Sequence, residues 1–117
     1  MELSKLYKMV HGNYQNVLVR IEDKQLIENF VIRFLDDSSF EQLIGHLNKN
    51  DIKQAFYSAH NLKGVTQSLG FDRLGEYAGA VCEELRKKTA PSESLLRQLQ
   101  EEYNCVITAI NKYKKDI

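Results

Sequence analysis

The 117-residue chain has no tryptophan, one proline, Pro91, and only two cysteines, Cys82 and Cys105. There is no C-x-x-C pair and no Cys/His cluster along the sequence. Neither a structural zinc site nor a disulfide framework is therefore expected, and no metal is assigned. Two free thiols fit a reducing, cytoplasmic setting. An excess of one charge is also missing, because sixteen Lys/Arg balance sixteen Asp/Glu. That excludes a strongly basic nucleic-acid module, and no nucleic-acid partner is expected. Apolar runs stay far below the ~20 residues that a membrane helix needs, so no membrane partner is expected either. Met1-Glu2-Leu3-Ser4-Lys5 lacks the basic-then-apolar pattern of a signal peptide. The length suits one domain over residues 1–117.

What is present is helical. No segment alternates with a period of two, and no Asn-Gly or Asp-Gly hairpin signal occurs. Short helices are expected near residues 2–10 and 13–20, with Gly12 as the break between them. Residues 24–36 place Leu26, Ile27, Phe30, Val31 and Phe34 on one stripe, with Asp23 as N-cap. Ser38-Ser39-Phe40-Glu41 and Asp51-Ile52-Lys53-Gln54 read as capping boxes that open two further helices. Gly70 reads as a C-terminal glycine, Asp72 as the next cap, and Pro91 as the first residue of the last helix. The last helix carries a seam at Leu95/Leu96, Leu99, Tyr103, Val106, Ile110 and Tyr113. Short links between the longer helices predict an all-α fold, an antiparallel up-and-down four-helix bundle. One or two short N-terminal helices are expected to lie across it, with the bundle core at about residues 23–115.

The segment from Ser58 to Gly70 carries the chemistry. At 100° per residue, Ile52, Ala55, Ala59, Leu62, Thr66 and Leu69 form the core stripe. His60, Lys63, Gly64 and Gln67, at i, i+3, i+4 and i+7, form a second stripe roughly 110° away. An imidazole is thus presented to water, with an ammonium and a residue without a side chain one turn on. Phosphorylation of a ring nitrogen needs that nitrogen unprotonated, which an exposed imidazole supplies near neutral pH. A phosphohistidine adds about two negative charges, which a neighbouring lysine offsets. A glycine inside a helix costs about 1 kcal/mol relative to alanine, so Gly64 asks for a reason. In-line approach of a partner to His60 is such a reason.

His60-Asn61-Leu62-Lys63-Gly64 followed by Leu69-Gly70 resembles the H-x-L-K-G-x(4)-L-G signature of the histidine-containing phosphotransfer (HPt) family. The resemblance runs from about residue 12 to 110. It takes in Phe34-Leu35-Asp36-Asp37, Asn50-Asp51, the stretch from Ala55 to Ala59, Arg73-Leu74 and Glu83-Glu84-Leu85. It implies a phosphocarrier of multi-step phosphorelays, without ATP-binding or autokinase activity. Such a carrier would accept phosphate on His60 from a receiver-domain aspartate and pass it to another receiver. Partners would be receiver domains of hybrid sensor kinases and response regulators, and the carrier a monomer. No cofactor is implied, since Mg²⁺ belongs to the receiver. Lys63 would neutralise the phosphate and Gly64 admit the receiver. The family usually has Glu or Gln 22 positions after the histidine to hold the ring; here that residue is Cys82. A thiol is a weak partner, so Cys82 and Gln67 are both candidates to orient the ring.

Plainer readings accompany these. Gly75, Gly79 and Cys82 share a stripe that either opens the site or packs tightly against a neighbour. His11 and His46 read as surface or boundary residues, Asp36-Asp37 as helix-terminal, and the C-terminal lysines as suited to a helix end. The docking surface is expected around Tyr14, Val17 and Leu18 and on the Gly75/Gly79 face. Two other functions compete: a bundle that docks receiver domains without carrying phosphate, and an enzyme acting through a phosphohistidine.

Overall fold

Side-chain caps start several of the helices. Asn13 Oδ1 accepts from the Asn16 N–H and begins α2 (Tyr14–Ile21), which follows α1 (Leu3–Met9). Asp23 Oδ1 accepts from the N–H groups of Gln25 and Leu26 and begins α3 (Lys24–Arg33). A single 3₁₀ turn, Phe34–Asp36, joins it to α4 (Ser39–Asn48). Asp51 Oδ1 accepts from the Gln54 N–H at the start of α5 (Ile52–Ser68). Then come α6 (Asp72–Arg86) and α7 (Glu93–Lys115). This computed structural model describes residues 1–117 and contains no strand.

Three starts differ from the sequence reading. Ser38 makes no capping bond; Asp37 Oδ1 accepts from the Ser39 N–H instead, and Ser39 is buried. Asp72 is the first residue inside α6, where an acid still suits the positive helix end. The cap of α7 is Ser92, whose Oγ accepts from the Leu95 N–H, so Pro91 stands just before the helix.

The end of α5 matters for the site. Phe71 N–H bonds to the Thr66 carbonyl and Gly70 N–H to the Gln67 carbonyl, a Schellman closure. Gly70 takes a left-handed φ of 75°, which glycine adopts without strain. The α1–α2 link docks there, because Asn13 N–H bonds to the Gly70 carbonyl. A Cβ on Gly12 would come within 2.6 Å of that same carbonyl oxygen, so only glycine allows the approach.

In the bundle, α4 packs on α5, α5 on α6 and α6 on α7. Phe40 of α4 stacks on Tyr103 of α7, with centroids 4.0 Å apart, and closes the ring. The first helices are part of the core. Leu6, Tyr7, Val10 and Val17 are buried, and the Tyr7 hydroxyl donates to the Leu69 carbonyl at 2.7 Å. The core therefore begins well before residue 23, because α1 packs along α7 as well as over the end of α5. No helix is long and apolar enough to cross a membrane.

Candidate functional site

The core stripe of α5 is buried at Ala55, Ala59, Leu62, Thr66 and Leu69. That burial fixes the rotation of α5 and leaves His60 and Gly64 exposed. Both line an open groove of about 640 Å³ between α5, α2 and α3. Phe30 and Ile21 give the groove apolar lining, and Arg20 and Arg33 give it positive charge. Arg20 is held in place, since it donates to the Ser68 carbonyl and to Asn16 Oδ1.

No side-chain hydrogen bond holds the His60 ring. Its neighbour is Phe56, one turn earlier on α5, with ring centroids 6.0 Å apart and planes 20° from parallel. The Arg86 guanidinium of α6 lies 5.0 Å above the other partner in this stack, the Phe56 ring. Arg86 in turn bonds to Glu83. Phe56 also lines a second groove with Ile52, Tyr57, Leu85 and Arg86, of about 590 Å³. The sequence reading singles out neither Phe56 nor Arg86 as part of the site. The i, i+4 spacing of Phe56 and His60 was the available signal.

A Cβ built on Gly64 meets nothing within 4 Å. Packing therefore gives no reason for glycine there. Gly45 of α4 is equally open, so openness alone does not mark a site; Gly64 is distinguished by sharing the groove with His60.

The other sequence candidates lean toward α6. The aliphatic stem of Lys63 lies 3.6 Å from where a Cβ on Gly79 would stand. Gln67 Cγ is 3.3 Å and Thr66 Oγ1 3.2 Å from the equivalent point at Gly75. The Gly75/Gly79 stripe is thus where α6 packs against α5, and it offers no open docking face. Cys82, on the same stripe, is fully buried. Burial pushes its thiol pKa up, while the Arg86 and Lys63 charges pull it down. Neither Cys82 nor Gln67 bonds to the His60 ring. Of the N-terminal docking candidates, Val17 is fully buried and Tyr14 and Leu18 pack against the core. It is Arg20 and Ile21 of α2 that reach the groove.

On the α4 side, Asn61 Nδ2 donates to Ser39 Oγ at 2.6 Å and ties the residue next to His60 to the start of α4. The Phe56 stack thus lies against the exposed His60 ring, and this bond anchors the neighbouring residue to α4.

No curated protein and no solved structure matches the chain. The Hpt domain family model matches residues 25–109, a span that covers α4, α5, α6 and most of α7. The chain belongs to the Hpt domain family, whose members are phosphocarriers of phosphorelays.

Proposed function

We propose that this chain accepts a phosphoryl group on His60 from a receiver-domain aspartate and passes it to a second receiver domain. The observation that carries the reading is the exposed His60 ring, free of hydrogen bonds, beside a glycine with nothing in front of it. In the accepting step the Nε2 lone pair attacks phosphorus and forms the N–P bond. The acyl-phosphate P–O bond breaks and the aspartate leaves as a carboxylate. The ring keeps its Nδ1 proton, so the phosphorylated imidazole is cationic. In the onward step the second receiver's aspartate attacks phosphorus, the N–P bond breaks, and the neutral imidazole leaves with its Nδ1 proton. Arg20 and Arg33 line the groove and supply positive charge for a group bearing about two negative charges. Lys63, one turn from His60 on α5 with its stem along Gly79, adds its ammonium from the α6 side.

The receiver, with its own Mg²⁺, seats over the His60 groove. Phe56 and the half-exposed Tyr57 give apolar contact, and the arginines form a charged rim. The chain needs no nucleotide site of its own, because the partner brings the activated phosphate. A cytoplasmic, monomeric carrier fits this role.

The test is uptake of label from a phosphorylated receiver domain. Wild type should gain acid-labile, base-stable label, and His60→Gln should stay at background with an unchanged melting temperature. Label on His60→Gln would move the site elsewhere. A wild type that binds the receiver and gains no label would instead establish the docking-only bundle.

A further inference from the structure

Between the α1–α2 link and α7, among residues that do not line the His60 groove, His11, Glu102 and Cys105 come together. One imidazole nitrogen, a carboxylate oxygen and the Sγ atom all lie within 4.8 Å of one another. His11 sits in the α1–α2 link with a left-handed φ of 55°, a conformation that non-glycine residues seldom hold. It aims Nδ1 at Glu102 Oε2, 3.0 Å away. Glu102 and Cys105 stand at i and i+3 on α7, so they share a face. The Glu102 side chain is 8% exposed and that of His11 40% exposed. A carboxylate so far buried has a single partner, the imidazole. The Cys105 thiol makes one weak contact, 3.6 Å to the Met9 carbonyl.

We propose that these three side chains form a binding site for a zinc-class divalent cation. The donor set is one nitrogen, one carboxylate oxygen and one sulfur. Such a set selects Zn²⁺ or Co²⁺ over Mg²⁺ or Ca²⁺, which prefer all-oxygen cages. Zinc bonds of about 2.0–2.3 Å put tetrahedral ligand atoms roughly 3.3–3.8 Å apart. The imidazole and carboxylate already stand 3.0 Å apart and no pair exceeds 4.8 Å, so small side-chain rotations bring the three to that spacing. Solvent at the His11 edge provides the fourth ligand. Binding deprotonates the Cys105 thiol, and its proton goes to solvent. The neutral imidazole then carries its proton on Nε2. The ion would clamp the α1–α2 link to the middle of α7, and it would do so independently of His60. The donors are 91 positions apart along the chain at their first pair, so no ligand spacing shows in the sequence.

The probe is Co²⁺ titrated into the reduced full chain, followed by Zn²⁺ competition. Wild type should show one saturable thiolate-to-cobalt charge-transfer band, bleached by one equivalent of Zn²⁺. Zn²⁺, but not Mg²⁺, should raise the melting temperature. Cys105→Ser should abolish the band, and Cys82→Ala should keep it. His11→Asn, which suits the left-handed backbone, should weaken Co²⁺ binding at least tenfold while melting normally without metal. A wild type without the band, a band that survives Cys105→Ser, or equal stabilisation by Mg²⁺ would each overturn the proposal. Because none of these readouts involves phosphate, failure here leaves the carrier reading untouched, and the converse also holds.

Discussion

Along one side of α5, Ala55, Ala59, Leu62 and Thr66 are fully buried, whereas His60 and Gly64 on its other side stand open to solvent. The same contrast separates two glycines. A Cβ on Gly75 would press on Thr66 and Gln67, but one on Gly64 would meet nothing. On the covered side each small residue is explained by what it touches. On the open side nothing in the fold explains the small residue, so the explanation has to come from what arrives. That difference separates structural from functional roles in a helix whose residue types look alike on both sides.

The largest expected effect breaks the covered side. Removing residues 1–12 strips Leu6, Tyr7 and Val10, which are at most 1% exposed. Each such side chain contributes roughly 1.5–3 kcal/mol, and a whole domain has only about 5–15. The truncated chain should therefore lose its cooperative thermal transition in circular dichroism. A sharp, near-native melt would show that α1 and the link rest on the bundle without supporting it.

Next comes a crossed pair of substitutions. Gly64→Arg should keep the melting temperature but slow phosphotransfer by on the order of a hundredfold, as a misplacement of about 1 Å at a reacting centre does. Gly75→Val should do the reverse. Its first carbon already meets Thr66 Oγ1 at 3.2 Å, and overpacking of this kind costs about 1–3 kcal/mol. Transfer per folded molecule should persist. Stopped-flow transfer from a receiver domain, paired with urea melts, reads both. If both variants lose stability together, the two sides of α5 are not distinct.

Much of this contrast is legible in the sequence. The buried stripe of α5, the Asp23 and Asp51 caps and the left-handed Gly70 all follow from local rules. So does the exposure of His60. What escapes is which neighbour covers a given face. Periodicity puts Gly75, Gly79 and Cys82 on one stripe, but only the packed bundle says that α5 lies on it. The same holds for Lys63, whose long stem can lie along the helix surface in either direction and here crosses Gly79. Val17 reads as a surface residue of a short amphipathic helix until the α1–α2 link folds over Gly70 and buries it. Arg86 reaches the His60 neighbourhood through Phe56, a contact between helices that no single-helix pattern contains.

The smallest expected effect is the sharpest probe of the open side. Gly64→Ala adds a single methyl group where nothing lies within 4 Å. Alanine is favoured over glycine in a helix interior by about 0.8–1 kcal/mol. Part of that gain comes from restricting the unfolded chain, where glycine has more freedom to lose. The variant should therefore be more stable by up to about 1 kcal/mol in urea melts. A methyl extends only a short way into the groove, so phosphotransfer should fall far less than with arginine. A gain in stability with a modest loss of rate would mean that glycine is kept at position 64 against the interest of the fold. A loss of stability would mean that the backbone at Gly64 is held by something other than helix propensity, and the open side would then need a structural explanation after all.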